Sequence, residues 1–443
     1  MGKMDKTSEY FFKDKIVEDG VIYSADGEYC YGLTEDVENM PEIKIKEGTK
    51  KIVEGAFTSC ERIKKIILPS SVEAIDDLAF INSDLEEINL ENVLYFGYKA
   101  FWGTNIKEAT INKNATFKEK KTYFENDGAA TFANCFKLKR LVYGPDTIPH
   151  SLCYGCESLS EVVLLNTVKE IGSHAFVNTK SLTSFPFQEG LSIIKDCAFS
   201  SSGIQIADFP KSLKYVGELA FLDCRSLKGI YFKSDSSETG LPLTLKRSCF
   251  SNTAISTFTV PSRTAVLEED VLARNEFLNK LFVDAPLSAL PDRLCSYDKN
   301  LEEVLIYPTI KKIGKSCFEN TGLKKVDEQF ANVEFFNIDA FSNCDKLKFA
   351  NIRKDVSCNY GVFSDCHNLE LVILNTDKIG EIFKNTPEDL IIISPFTEKD
   401  FGNSLGGRKL TYSVNEDNIN VALKYIPFKE ITKISEQEKQ NAI

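Results

Sequence analysis

The chain has 443 residues, 43% hydrophobic and 27% charged, a globular composition that excludes the disordered, collagen-like and simple coiled-coil classes. Its net charge of −12 produces a field that repels nucleic acid and anionic lipid headgroups, so neither is an expected partner. The length corresponds to about three ordinary domains or to one elongated array.

The N-terminal segment contains no apolar run longer than Tyr10-Phe11-Phe12 within its first twenty residues. A secretory signal needs about 7–15 apolar residues, so the printed sequence predicts no export signal. No stretch of the chain reaches the ~18 apolar residues of a transmembrane helix. Direct insertion into a membrane is therefore not expected.

A short phrase recurs along most of the chain: IDDLAF at 75–80 returns as IGSHAF at 171–176, VGELAF at 216–221 and IGKSCF at 313–318. Its last position, here called the anchor, recurs in steps of 20 to 23 residues, apart from two steps of 31 and 29. Because no such unit can bury its apolar face alone, this period predicts a solenoid of about 15 stacked repeats of ~23 residues. The anchors are Phe57, Phe80, Phe101, Phe132, Cys153, Phe176, Phe199, Phe221, Phe250, Leu272, Cys295, Phe318, Phe341, Phe363 and Phe383.

Each repeat also contains a short run with alternating apolar positions, which begins five or six residues after nearly every anchor. An example is LSEVVL at 159–164. A period of two predicts a strand whose first, fourth and sixth residues turn inward and whose third and fifth turn outward. We therefore expect mostly β structure with short helical or irregular return segments, and a spine of stacked phenylalanine rings inside.

Most of the 13 cysteines follow the same repeat. Cys249 and Cys317 directly precede an anchor, and six others lie three residues after one. Free cysteine behaves as a small hydrophobic residue, so this register predicts buried, reduced thiols. Cys153 and Cys156 form a CxxC pair, for which a redox or metal-binding role remains the alternative. The six are Cys60, Cys135, Cys156, Cys224, Cys344 and Cys366.

Three segments depart from the period. Insertions near 112–130 and 233–243 account for the two long steps, and we expect loops there that are either neutral or part of a binding site. After residue 393 the period ends, and a strand-like stretch at 410–414 and a helix near 418–425 predict a terminal cap with a frayed tail. The expected organisation is an N-terminal cap at 1–43, an array at 44–392 and a C-terminal cap at 393–443.

No catalytic motif accompanies the repeats. His150, His174 and His367 are far apart, and the chain contains no HExxH, GxSxG, P-loop or GxGxxG pattern. The sequence therefore predicts a protein that is not an enzyme, with no cofactor and no metal site.

The full repeat pattern, LxxIxIPxxVxxIGxxAFxxCxxL, is best kept at 63–80, 159–182 and 301–318. It resembles the BspA-like (Treponema-type) leucine-rich repeat family over about residues 44–390, and residues 19–27 are similar to the β-hairpin that often precedes such arrays. The resemblance implies a curved, elongated leucine-rich repeat solenoid at the cell surface or outside the cell. It also implies adhesion and binding of a host, matrix or other surface protein.

The outward strand positions are the candidate binding surface. Eight of the fourteen fifth-position residues are apolar or aromatic, whereas the third positions are mostly charged. An apolar stripe bordered by charges is typical of protein-binding surfaces, although the β-propensity of these residues alone could also explain it. We expect a non-enzymatic binding protein; the alternatives are a glycan hydrolase with its site on the insertions and a passive spacer. The predicted contact residues are Val142, Val163, Tyr231, Phe282, Leu305 and Ile373.

Overall fold

The computed structural model describes residues 14–34, 40–61, 63–120, 128–233, 241–411 and 418–426. The chain forms two compact units, Met1–Ser236 and Ser237–Ile443. The fold is a β-solenoid of about 15 turns of ~23 residues with little helix, as the repeat predicts. The division into two caps and an array stays a prediction. Residues 121–127 and 234–240 of the two predicted insertions, and the tail beyond 426, lie outside the described residues.

The first unit contains nineteen strands in its described residues. They are β1 (Lys15–Glu18), β2 (Val21–Ser24), β3 (Tyr29–Leu33), β4 (Glu42–Lys44), β5 (Lys51–Ile52), β6 (Lys65–Ile67), β7 (Ala74–Ile75), β8 (Glu87–Ile88), β9 (Tyr95–Phe96), β10 (Glu108–Ile111), β11 (Thr116–Phe117), β12 (Arg140–Tyr143), β13 (Thr147–Ile148), β14 (Glu161–Leu164), β15 (Glu170–Ile171), β16 (Ile193–Ile194), β17 (Ile206–Phe209), β18 (Tyr215–Val216) and β19 (Gly229–Phe232).

The second unit contains fourteen strands and two short α-helices in its described residues. The strands are β20 (Leu243–Leu245), β21 (Thr257–Val260), β22 (Thr264–Leu267), β23 (Lys280–Val283), β24 (Ala289–Leu290), β25 (Glu303–Ile306), β26 (Lys312–Ile313), β27 (Lys325–Val326), β28 (Phe335–Phe336), β29 (Phe349–Ile352), β30 (Ser357–Cys358), β31 (Leu371–Leu374), β32 (Ile391–Ile393) and β33 (Leu410–Thr411). The helices are α1 (Glu398–Phe401) and α2 (Ile419–Tyr425), and a 3-10 turn covers Glu328–Phe330. Residues 412–414 of the predicted terminal strand lie outside the described part.

Two kinds of parallel sheet run along the solenoid. The longer strands of successive turns form β4-β6-β8, β10-β12-β14 and β17-β19 in the first unit, and β21-β23-β25 and β27-β29-β31-β32-β33 in the second. The shorter strands form separate sheets such as β24-β26-β28-β30. Antiparallel pairing occurs at β1-β2-β3, the hairpin region that the family resemblance indicates. Each parallel register joins equivalent residues of adjacent turns, so equivalent side chains form rows.

The anchor phenylalanines stack face to face in the interior. Ring centroids are 5.1 Å apart for Phe57 and Phe80, and 5.1 Å apart for Phe199 and Phe221. In the second unit Phe341 stacks on Phe363 at 6.0 Å. All of these rings are buried. Full burial of one such side chain stabilises the fold by roughly 1.5–3 kcal/mol, so the predicted spine is confirmed as the core of each unit.

The position three residues after the anchor is a buried hydrogen-bonding position. The Cys156 and Cys224 thiols each lie 3.0 Å from the anchor carbonyl oxygen of the preceding turn, on Phe132 and Phe199. Where threonine replaces cysteine, as in Thr179, its hydroxyl donates to the carbonyl of its own anchor at 2.8 Å. All 13 cysteines are free, and all are buried except the half-buried Cys60 and Cys197. Cys156 and Cys224 therefore serve as small buried donors.

Candidate binding surface

The third residues of the six-residue runs, such as Glu161 in the run 159–164, form a charged row along the longer strands. Because the strands are in register, opposite charges meet across neighbouring turns: Arg140 Nε lies 3.0 Å from the Glu161 carboxylate, and Lys280 Nζ lies 2.6 Å from that of Glu303. Exposed pairs of this kind contribute only about 0.2–1 kcal/mol each. They nevertheless keep this row hydrophilic.

The fifth residues of the same runs, such as Val163 in the run 159–164, form a neighbouring row that contains the predicted contact residues. Tyr231 and Leu305 are prominently exposed, with 59% and 50% of their surface accessible. Val163 and Phe282 are half-buried. The register brings Phe282 beside Leu305 and Val142 beside Val163, whereas Tyr231 lies opposite Asp208.

Two of the six predicted residues lack the solvent exposure that their position suggests. Val142 is only 8% exposed because its short side chain lies between the in-register Thr110 and Val163, both β-branched. Ile373 is 6% exposed and belongs to a hydrophobic cluster that includes α2. The period of two identified the outward face correctly but could not show which parts of it are covered.

Helix α2 covers the outward face of β29, β31 and β32. Its Ala422 and the following Ile426 are buried against a group of strand residues, and Tyr425 stacks on Phe349 with ring centroids 5.4 Å apart and planes 2° apart. The strand residues of this cluster are Phe349, Leu371, Ile373 and Ile393, with Ile391 partly buried beside them.

A carboxylate at the edge of this cluster holds the helix. Glu370 accepts hydrogen bonds from Lys424 Nζ at 3.0 Å and the Tyr425 hydroxyl at 2.9 Å, and Lys348 Nζ also lies 3.0 Å away. Burial alone would raise the pKa of Glu370, but these three hydrogen bonds lower it to about 2. Burial together with the hydrogen bond to Glu370 raises the pKa of Tyr425 to about 12.

Two exposed apolar residues beside the predicted ones were missed. Ile206 is 55% exposed and is the third residue of the run 204–209, which contains β17. Tyr307 is exposed two residues beyond Leu305. If the alternation had been continued two residues beyond Leu305, it would have predicted that Tyr307 also turns outward. For Ile206, the signal was an apolar residue in a row that elsewhere carries mostly charge.

Reactive chemistry has little support in the described part of the chain. The thiols of Cys153 and Cys156 are buried, and burial raises the pKa of Cys156 well above its usual value, which disfavours the reactive thiolate. Within residues 14–426, leaving out the gaps, no group of three or more His, Cys, Asp or Glu side chains could hold a metal ion. Among the helices of the same residues, none combines the length and apolar character needed to cross a bilayer.

Several solved structures are similar to this chain. A leucine-rich repeat protein from Bacteroides ovatus is 20% identical, with 91% of this chain and 99% of that chain covered and a TM-score of 0.62. A leucine-rich cell surface protein from Faecalibacterium prausnitzii is 16% identical, with 87% and 96% covered and a TM-score of 0.43. The pneumococcal vaccine antigen PcpA is 15% identical, with 90% and 99% covered and a TM-score of 0.38. No curated protein sequence matches significantly.

The sequence model of the BspA type leucine-rich repeat region matches residues 34–139, 146–279 and 277–390, in six copies. These matches cover most of the chain and coincide with the turns of the solenoid. The chain therefore belongs to the BspA-type leucine-rich repeat family.

Proposed function

We propose that this protein is a non-enzymatic binding scaffold whose outward strand face contacts a protein partner. The observation that carries the proposal is the exposure of Tyr231, Leu305 and Ile206 beside rows of ion-paired charges. Large exposed apolar side chains with a polar border are typical of protein interfaces. Within the described residues, nothing covers these three side chains, so a partner could contact them directly.

Adhesion at the cell surface or outside the cell is part of the proposal. Its support is the family, since BspA-like repeats are associated with surface proteins that bind host or matrix proteins. The net charge of −12 disfavours nucleic acid and anionic lipid as partners.

Tyr231→Asp combined with Phe282→Asp tests the strand face. The wild-type chain is immobilised, binding proteins are identified among candidate host and matrix proteins, and their dissociation constants are measured. We expect the double variant to bind at least tenfold more weakly, because aspartate places unpaired charge in an apolar contact. If the double variant retained every partner at wild-type affinity, the strand face would not be the binding surface.

A matched control is available in the return segments. Phe136→Asp combined with Phe277→Asp places aspartate at two aromatic residues that are 56% and 58% exposed, about as much as Tyr231, and that lie outside the strand face. This control is expected to bind as the wild type does. Circular dichroism of both double variants verifies that the solenoid is intact.

A further inference from the structure

The chain contains its own example of a partner on the outward strand face. At β29, β31 and β32 the third-position row is apolar, with Phe349, Leu371 and Ile391 in register, and this is where α2 packs. Most other positions of that row carry charged residues, among them the ion pair of Arg140 and Glu161. Since covering those charges would remove them from water at considerable cost, an apolar third row marks the place where a helix can pack.

The third row loses its charge at one further pair of neighbouring strands, β17 and β19. Ile206 and Gly229 are in register there, and Ile206 remains exposed. The ring of Tyr231 lies over Gly229, because a Cβ atom at that glycine would be only 2.8 Å from Tyr231 Cε2. Gly229 is buried beneath that ring, and the exposed side chains of Ile206 and Tyr231 lie on either side of it. These two apolar residues are here called the Tyr231 patch.

Asp208, in register with Tyr231, is paired with Lys233 at 3.1 Å, so the charge that distinguishes this patch from the α2 site is the one at the second position of the run. Glu370, the second residue of its six-residue run, forms an ion pair with Lys424 of α2 at 3.0 Å. Lys228 occupies the second position beside Gly229, is exposed, and makes no ion pair with any residue that the structure describes. A helix in the α2 arrangement at this patch would meet a cation where α2 meets a carboxylate.

We propose that the Tyr231 patch binds an amphipathic α-helix of a protein partner, with an apolar stripe on Ile206 and Tyr231 and a carboxylate directed at Lys228. This proposal rests on the proposed function and adds the partner's chemistry to it. Helix α2, which packs on β29, β31 and β32, shows that a helix can bind to this face of the strands. The positive charge of Lys228 favours an acidic helix over a basic one.

The probe is a fluorescent peptide with the α2 sequence of residues 418–426. A covalent link between positions 420 and 423 keeps it helical, and both positions are exposed in α2. One version carries Lys424→Glu and the other keeps the lysine. Fluorescence anisotropy with the full-length chain measures both affinities. We expect the acidic peptide to bind about two- to fivefold more tightly, the range of one exposed ion pair.

Substitutions in the chain locate the binding. Ile206→Asp is expected to abolish binding of the acidic peptide, and Lys228→Glu is expected to reverse the preference between the two peptides. Phe277→Asp, at an exposed aromatic residue of the other unit that lies outside the strand face, serves as the control and is expected to change neither affinity. Loss of the acidic peptide's binding on Phe277→Asp but not on Ile206→Asp would overturn the proposal, as would a preference that Lys228→Glu leaves unchanged.

Failure of this inference is distinguishable from failure of the proposed function. If neither peptide binds while Tyr231→Asp with Phe282→Asp still loses protein partners, the strand face binds proteins but not helices of this kind. If that double variant retains all partners, the proposed function itself fails, whatever the peptides do.

Discussion

Asp298 shows how strongly the repeat constrains a single position. It lies three residues after the anchor Cys295, where other turns carry cysteine, serine, threonine or asparagine. Its Oδ1 accepts a hydrogen bond from the Asn275 backbone N–H at 2.7 Å, whereas its buried Oδ2 has no hydrogen-bond partner among the described residues. Burial raises the pKa of Asp298 well above its usual value.

Asp298→Asn is predicted to stabilise the protein at neutral pH. The folded state holds the Asp298 proton more tightly than the unfolded state does. Protonated Asp298 therefore contributes fully to the free energy of unfolding below its pKa in the unfolded chain, which is about 4. That contribution is lost as the pH rises toward the higher pKa of Asp298 in the folded protein. Asparagine removes this loss and supplies a donor, as Asn275 does to the Phe250 carbonyl at 3.1 Å. We expect the free energy of unfolding to rise by about 1–3 kcal/mol at pH 7 and little at pH 4.

Denaturant titrations at both pH values measure this effect. The exposed Asp389→Asn is the matched control, and its stability is expected to stay within about 0.5 kcal/mol of the wild type. A less stable Asp298→Asn protein at pH 7 would show that the carboxyl group has a structural role that an amide cannot replace.

Helix α2 illustrates the scale of the element. Seven residues are too few for a stable isolated helix, so its formation depends on packing against the strand face. Tyr425 supplies both the ring that stacks on Phe349 and a hydroxyl that donates to Glu370. Helix propensity can locate α2 approximately but cannot indicate where it packs.

Glu370→Gln is predicted to loosen α2. Loss of the carboxylate weakens the contacts of Lys424 and Tyr425, so amide hydrogens of 418–426 are expected to exchange several-fold faster at pH 7, measured by mass spectrometry. In the wild type, the depressed pKa of Glu370 stabilises the folded state above about pH 4, and that contribution is lost as the pH falls toward 2.

Glu302→Gln is the control for this prediction. Glu302 occupies the same second position, and it pairs with Lys324 at 2.6 Å and Lys346 at 3.0 Å instead of with the helix. Exchange in 418–426 is expected to be unchanged in this variant. If Glu370→Gln also left exchange unchanged, apolar packing alone would hold α2.

At the scale of the whole molecule, each turn contacts mainly the turns beside it. The Phe199 ring stacks on Phe176 at 5.2 Å and on Phe221 at 5.1 Å, within the first unit. In such a solenoid, stability is approximately a sum of single-turn terms and interfaces between neighbours. A local defect should therefore have mainly local consequences.

Phe199→Ala is predicted to destabilise the solenoid by about 3–5 kcal/mol, because it leaves a cavity in the ring stack. Hydrogen exchange should increase most between residues 171 and 221 and much less near β5 and β7 of the same unit. The exposed Phe136→Ala is the matched control, with a change within about 0.5 kcal/mol. Uniformly faster exchange throughout the first unit would contradict a nearest-neighbour account.

The periodic features could be predicted because the same constraint is repeated in every turn. The anchor spacing identified the stacked rings, and alternation identified the outward face that includes Tyr231 and Leu305. The polar role of the position three residues after the anchor was only partly visible, because the cysteine that many turns carry there suggested apolar packing, while other turns carry threonine. In the structure both residue types satisfy backbone carbonyls.

The sequence by itself determined the repeat, the strand face and the family resemblance, since these depend on local spacing that is written many times over. Only the tertiary structure decided which outward residues are accessible. Ile373 is covered by a helix that lies about fifty residues further along the chain, and Tyr231 lies over a glycine on its own strand. Such coverage depends on contacts between segments distant in sequence or on the shape of one neighbour, and neither has a period.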